Sequence, residues 1–119
     1  MADEEPIVDA KQILGVEDRT GPRPFHVKAW GMTVLLRDPM ASDRDEWDLY
    51  CSKNQGKKVA WRAKAAQLLI VNADDQRIFS EEQIPDLSKK SARALHELWN
   101  ECTRLLAVTE GEVKELEKN

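Results

Sequence analysis

One stretch of the sequence places polar side chains at the spacing of a zinc site. His96 and Glu97 begin like the motif H-E-x-x-H, in which two imidazoles one helical turn apart bind the metal. The position of the second imidazole holds Asn100, which is a poor zinc ligand. We therefore expect His96 and Glu97 to lie on the solvent side of an amphipathic helix, without a metal.

A second stretch has part of the spacing of a calcium-binding loop. Asn72, Asp74 and Gln76 stand where the first three ligands of such a loop would be. The loop also requires a glycine and, at its end, a bidentate glutamate, and those positions hold Arg77 and Gln83. The pattern predicts a short polar turn rather than a calcium site.

The remaining acidic and nucleophilic residues do not form a recognisable catalytic pattern. Asp43, Asp45, Glu46 and Asp48 fall in the first turns of a predicted helix, where the helix dipole favours negative side chains. The sequence contains no G-x-x-x-x-G-K-[ST] phosphate loop, and neither histidine stands at a known spacing from a serine or cysteine nucleophile. We expect no enzymatic activity, no metal and no cofactor.

The two cysteines, Cys51 and Cys102, are too few for a disulfide framework. In a reducing compartment each is predicted to be a small, partly buried thiol. A bridge between the two is the less favoured alternative.

Positive charge is concentrated in the middle of the chain, where residues 49–73 contain five cations and no acid. Four of these cations are predicted to share one helix with a tryptophan, and we expect this set to contact a partner: Lys57, Lys58, Trp61, Arg62 and Lys64. Three interpretations are open, namely a solvated helix face, contact with an acidic protein partner or the chain's own acidic ends, and binding to nucleic acid. The isoelectric point near 5.2 argues against the last, because nucleic-acid-binding domains are usually strongly basic.

Four tryptophans are many for a chain of 119 residues. Trp47, Trp61 and Trp99 lie at or beside apolar stripes of predicted helices, so core packing is expected for each of them. Trp30 adjoins a predicted hairpin turn and is the one that we expect nearer the surface.

Length and composition fit one domain with a single modest core, since 41% of the residues are hydrophobic and 34% are charged. The longest apolar run, residues 68–71, is far shorter than the roughly 20 residues of a membrane-spanning helix. Acids at positions 3–5 are the reverse of the basic start of a signal peptide. We expect a soluble, cytoplasmic protein with a net charge of -4 and two acidic ends, residues 1–18 and 109–119.

Periodicity predicts a mostly helical α+β domain in which an N-terminal β-hairpin packs on a small bundle of helices. Residues 1–24 are predicted to be an acidic segment followed by a proline-containing linker, and residues 25–119 a single globular domain. The hairpin is expected over residues 25–37 and a short extended segment over residues 77–79. Helices are expected over residues 8–14, 42–53, 57–71, 89–108 and from 110 onward.

Hydroxyl side chains followed three positions later by an acidic or amide residue predict where helices begin. Three such pairs precede predicted helices or turns: Ser42 with Asp45, Ser80 with Gln83, and Thr109 with Glu112. The second pair predicts a single turn that stops near Pro85, and Ser88 is expected to open the long helix over residues 89–108.

The order and spacing of several segments resemble the tail assembly chaperones of long-tailed bacteriophages and prophages. The similarity covers residues 25–119 and is carried by the hairpin over residues 27–37, by Ser42-Asp43-Arg44-Asp45, and by residues 62–69, 72–80 and 87–95. In such proteins the turn that corresponds to residues 74–77 of this chain often has the sequence Asp-x-x-Gly. This chain has no glycine there, so a tight hairpin is not expected at that turn.

The resemblance implies a non-enzymatic assembly factor in the host cytoplasm. Members of this family are thought to bind the long, aggregation-prone tape measure protein, to keep it soluble and to help tail tube subunits assemble around it. They are absent from the finished tail, and they are commonly accompanied by a longer, frameshifted product of the same gene. A structural tail component and a small nucleic-acid-binding or regulatory domain are the alternative interpretations.

Overall fold

The computed structural model describes residues 6–118. It contains the β-hairpin that is predicted over residues 25–37. Strand β1 (Arg23–Val27) pairs with β2 (Met32–Leu36) in antiparallel register. Gly31 in the connection has a φ of 61°, a left-handed conformation that favours glycine. Strand β3 (Ile70–Val71) pairs with the other edge of β2, so the sheet has the order β1-β2-β3.

Helices make up most of the rest, which confirms the predicted mostly helical α+β class and the hairpin packed on helices. A single 3-10 turn, Glu81–Gln83, precedes α4. The helices are α1 (Ala10–Leu14), α2 (Ala41–Lys53), α3 (Trp61–Leu69), α4 (Ile84–Leu87), α5 (Ala92–Leu106) and α6 (Glu110–Glu117).

Helix α3 occupies the centre of the domain, because apolar residues lie on more than one of its faces. Every residue from Ala63 to Leu69 is buried. Helices α2, α4 and α5 pack around it, and α5 contributes its buried stripe, which includes Leu95, Leu98 and Cys102. Such close packing leaves α3 with no solvated face over most of its length.

The two cysteines are free thiols, as predicted. Cys102 is fully buried, and this burial raises the pKa of its thiol to about 12. Cys51 is half-buried on α2, and burial likewise raises the pKa of its thiol. Both therefore pack as small apolar side chains rather than as reactive thiolates.

The prediction of one helix over residues 57–71 is wrong at both ends. Lys57 and Lys58 lie in the loop before α3, which begins at Trp61. At the other end Ile70 and Val71 leave the helix and form β3. The Ile70 N–H still donates to the Ala66 carbonyl and the Ile70 carbonyl accepts from the Ile78 N–H, while Val71 pairs with Leu35 of β2. Their β-branched side chains suit a buried strand.

Three further boundaries differ from the sequence prediction, two of them because neighbouring residues supply the caps. Ser42 lies inside α2, where the carboxylate of Asp43 accepts a hydrogen bond from the Met40 N–H at 2.8 Å. Ser91 rather than Ser88 caps α5, by accepting from the Arg93 N–H. Pro85 does not end a turn but stands in the first turn of α4, where a missing N–H is tolerated.

Strand β1 begins at Arg23, inside the segment predicted to be a linker. Pro24 is accommodated because β1 is an edge strand of the sheet. The predicted N-terminal helix is present as α1, one turn capped by Asp9, whose carboxylate accepts from the Gln12 N–H at 2.8 Å.

A tight hairpin joins β3 to Arg77, although none is expected at a turn without glycine. Val71 and Arg77 form an antiparallel bridge, and the Asn72 N–H donates to the Gln76 carbonyl at 2.8 Å. Asp75 takes a φ of 63°, a conformation that aspartate tolerates better than most residues. The side-chain oxygen of Asn72 accepts two backbone N–H groups, so a polar turn replaces the glycine. Beyond Arg77, the predicted extended segment forms no strand in the described residues.

A buried carboxylate joins the end of β2 and the start of α2 to a turn that lies more than 30 residues further along the chain. The side chain of Asp43 is fully buried at the start of α2. Its Oδ1 accepts from Arg37, which follows β2, at 3.0 Å and from Arg77, which follows the 72–76 turn, at 2.6 Å. Since an unpaired buried charge is unfavourable by several kcal/mol, this trio constrains the three segments to one arrangement.

Helix α6 is attached to the body despite its few apolar residues. Its start is capped as predicted, because the Thr109 hydroxyl accepts from the Glu112 N–H. Val113 and Leu116 pack against the core, and Arg44 donates to the Glu112 carboxylate at 2.7 Å.

We predict that Asp43→Asn lowers the free energy of unfolding by about 3 kcal/mol, because it leaves two arginines beside a neutral group in a buried site. Urea unfolding at pH 7 measures the change. Asp48→Asn is the matched control on the same helix, where the exposed pair with Arg44 contributes less than about 1 kcal/mol. Equal effects of the two substitutions would contradict the role given to Asp43.

We predict that Ala107→Gly raises the free energy of unfolding by about 0.5–1 kcal/mol. Ala107 ends α5 with a φ of 57°, where a Cβ atom is unfavourable and glycine is not. Thermal unfolding followed by circular dichroism measures the change. Ala41→Gly, in an exposed and ordinary helical position, is the control and should give no gain.

Candidate partner-binding groove

Three tryptophans form a stack from the core to the surface. The rings of Trp47 and Trp99 are buried, with centroids 5.5 Å apart. Trp61 meets Trp99 edge to face at 4.5 Å and is only partly buried. The predicted core packing of the three is confirmed, and Trp61 is held rigidly with part of its ring open to solvent.

A groove of about 770 Å³ lies beside Trp61, between the beginnings of α3 and α5. Apolar side chains, including Val59, Trp61 and Leu95, supply part of its lining. The cations Arg62, Lys90 and Arg93 also line it, and the Arg62 guanidinium lies 4.1 Å from the centroid of the Trp61 ring. Apolar lining with positive groups alongside suits an apolar ligand that carries acidic groups.

A second, smaller cavity of about 210 Å³ also adjoins Trp61. Lys57 and Lys58 line this cavity together with Leu116 of α6. Val59 and Trp61 line both spaces, so the two cavities adjoin the same tryptophan. We call these two spaces together the Trp61 groove.

Four of the five residues predicted to contact a partner line the Trp61 groove, namely Lys57, Lys58, Trp61 and Arg62. The prediction that places the cations on one helix is nevertheless wrong, because the two lysines precede α3.

Lys64 lies apart from the groove, and its predicted exposure on the basic face is wrong. Its side chain is 1% exposed, and its ammonium donates to Gln67 Oε1 at 3.1 Å and to Glu81 Oε1 at 3.0 Å. The hydrogen bond from Lys64 lowers the pKa of the Glu81 carboxyl. Lys64 therefore ties α3 to the 3-10 turn and is not accessible to a partner.

The cations of the groove are uncommitted within the described chain. No ion pair among residues 6–118 involves Arg62, Lys90 or Arg93. By contrast, Arg37 and Arg77 are engaged with carboxylates. An incoming carboxylate can pair with these cations without breaking an ion pair of the described residues, and Arg62 already stacks on the Trp61 ring.

Glu97 has a role that the zinc-motif comparison misses. Its carboxylate accepts hydrogen bonds from the Lys28 N–H at 2.8 Å and from the Ala29 N–H at 3.0 Å. These bonds lower the pKa of Glu97 and fasten the hairpin turn to α5 at the edge of the groove. This contact could not be predicted from the sequence, because Glu97 and Lys28 are 69 residues apart. Trp30, in the same turn, is half-buried and packs on the core.

His96, the other residue of the incomplete zinc motif, is exposed and lines the groove. Among residues 6–118, no group of three or more His, Cys, Asp or Glu side chains is arranged to hold a metal ion. No described helix is long and apolar enough to cross a membrane.

Searches against protein-family models, curated proteins and solved structures find no match to this chain.

We predict that Glu97→Gln lowers stability near pH 7 and that its effect shrinks in acid. The pKa of Glu97 is lowered in the fold, so its contribution is present above the ordinary carboxyl pKa of 4.5 and is lost as pH falls through the folded value. Unfolding by urea at pH 7 and at successively lower pH measures the difference from the wild type. Glu82→Gln, which removes an exposed carboxylate elsewhere, is the control. If the difference in the free energy of unfolding between Glu97→Gln and the wild type stayed constant with pH, the stabilising role given to the Glu97 carboxylate would be contradicted.

Proposed function

We propose that this protein is a tail assembly chaperone of a long-tailed bacteriophage or prophage, a non-enzymatic factor that binds the tape measure protein through the Trp61 groove. It keeps that protein soluble in the host cytoplasm, helps tail tube subunits to assemble around it, and is absent from the finished tail. The observation that carries the proposal is the partly apolar groove beside Trp61, lined by cations that form no ion pair among the described residues. The order of segments over residues 25–119 supports the choice of family.

The groove suits an amphipathic helix that carries acidic groups. A helix presents apolar side chains at intervals of three and four residues, and such a row fits a groove lined by Trp61 and Leu95. Trp61 has the properties of a binding anchor, because a buried ring fixes its position and no ordering is required on binding. Acids beside the row would meet Arg62, Lys90 and Arg93.

The composition of the domain suits the task of keeping such a helix in solution. Charged residues make up 34% of the chain, and its net charge is -4. When the apolar stripe of a bound helix lies in the groove, water no longer contacts the stripe. Water contacts the charged, hydrated outer surface of the domain instead. The bound segment is then protected from association with other exposed apolar segments.

Co-expression with the tape measure protein of the same phage genome tests the proposal. We expect the tape measure protein to be largely insoluble alone and to become soluble and to copurify with this chain. Purified phage particles should lack the chain. The gene should be followed by a ribosomal slip site, an overlapping second frame and a very long helical reading frame.

Two results would redirect the assignment. Recovery of the chain from purified particles in fixed stoichiometry would indicate a structural tail component. DNA binding that weakens steeply with salt, without rescue of the tape measure protein, would indicate a nucleic-acid-binding domain.

We predict that Arg62→Glu combined with Arg93→Glu weakens binding of the tape measure protein at least tenfold, because two attractive pairs become repulsive. Calorimetry or pull-down of the purified variants measures the change. Lys114→Glu with Lys118→Glu reverses the same charge on exposed residues of another surface and should leave binding within about twofold. Lys57→Glu with Lys58→Glu tests the smaller part of the groove. Unchanged binding in both groove variants, with intact circular dichroism spectra, would exclude the groove as the contact site.

A further inference from the structure

The N-terminal arm, defined here as residues 6–18, exposes apolar side chains that a folded domain usually covers. Ile7 is 98% exposed and Leu14 is 85% exposed, and Val8, Ile13 and Val16 are each more than half exposed. No residue of α1 is buried. A one-turn helix is marginal in water by itself, so its formation indicates a surface on which it docks.

The base of the arm is fixed to the domain. Arg19 donates to the Asp38 carbonyl at 2.8 and 2.6 Å and to the Asp75 carboxylate at 3.0 Å. The Thr20 N–H donates to the Asp38 carboxylate at 2.8 Å. The arm therefore leaves the body from a defined point beside the 72–77 turn.

The arm and the Trp61 groove are complementary in chemistry. The arm contains three acids, Asp9, Glu17 and Asp18, against the single Lys11, and it interleaves them with exposed apolar residues. The groove combines apolar lining residues with the uncommitted cations Arg62, Lys90 and Arg93. The Asp9 and Gln12 caps already order the turn that carries Ile13 and Leu14, which reduces the ordering required on binding.

The position of the two surfaces favours docking between molecules. The base of the arm lies at the far end of α3, where the Arg37 N–H donates to Leu69 O and the Arg37 side chain to Asp75. The groove lies at the other end of α3, beside Trp61. The apolar side chains of the arm stay exposed rather than lying in the molecule's own groove, so they are free to meet the groove of a neighbouring molecule.

We propose that the N-terminal arm of one molecule docks in the Trp61 groove of a second copy of this chain. Ile13 and Leu14 contact the apolar lining, and the acids of the arm meet Arg62 and Arg93. Self-association of this kind covers the groove until a higher-affinity ligand displaces the arm. The inference depends on the arm and groove alone and goes beyond the proposed function.

Complementation between two variants of the full-length protein tests this docking. Ile13→Glu with Leu14→Glu disables the arm and leaves the groove intact, and Arg62→Glu with Arg93→Glu disables the groove and leaves the arm intact. All four positions are exposed, so both variants should fold. Sedimentation equilibrium and light scattering give the mass as a function of concentration.

We expect the average mass of the wild-type protein to rise with concentration. For each variant alone, we expect the dissociation constant for self-association to be at least tenfold larger than that of the wild type. An equimolar mixture of the two variants should form a 1:1 dimer, because one intact arm meets one intact groove. Lys114→Glu with Lys118→Glu should associate as the wild type does.

Three results would overturn the proposal: a wild-type protein that is monomeric up to about 1 mM, association of the arm variant at wild-type strength, or a mixture that stays monomeric. A monomer whose arm is protected from hydrogen exchange by its own groove also overturns it. The arm variant keeps its groove, so its binding to the tape measure protein is measured separately. Failure of self-association is therefore distinguishable from failure of the proposed function.

Discussion

The fold depends on how the buried carboxylate of Asp43 is neutralised. A charge removed from water is tolerated only beside opposite charges and donors, and Asp43 obtains these from Arg37, Arg77 and the Met40 N–H. The end of β2, the start of α2 and the 72–77 turn must therefore meet at one point. Because Arg37 also holds Asp75, and Asp75 holds Arg19, the same network sets where the N-terminal arm leaves the domain.

The three stacked tryptophans connect the closely packed core to the candidate binding surface. Trp47 and Trp99 are fixed by close packing, and Trp61 is fixed by Trp99, so the partly exposed ring has little freedom left to lose when a ligand binds. Glu97 adds a second constraint at the edge of the groove by holding the hairpin turn. A groove with preformed walls suits the capture of a helix better than a flexible surface would.

The cations and the acids are concentrated in different parts of the chain. The cations at the groove are uncommitted in the described structure, whereas the acids are most concentrated at the N-terminal end. A single domain thereby carries both a partly apolar groove lined by cations and an acidic segment with exposed apolar side chains. This arrangement links the proposed chaperone activity to the proposed self-association through one shared surface.

Local patterns in the sequence determined the mostly helical α+β class, the hairpin, the central position of α3 and the cap at Thr109, since each depends on residues a few positions apart. Contacts between distant residues decided the rest. Ile70 and Val71 form a strand only because β2 lies beside them, and Lys64 is buried only because Gln67 and Glu81 receive its ammonium group. The acids near position 45 look alike in sequence, yet Asp43 alone among them is buried, because one partner lies 34 residues away. Burial and pairing are properties of the assembled surfaces, so only the tertiary structure could separate the lysine that holds the fold together from the cations that line the groove.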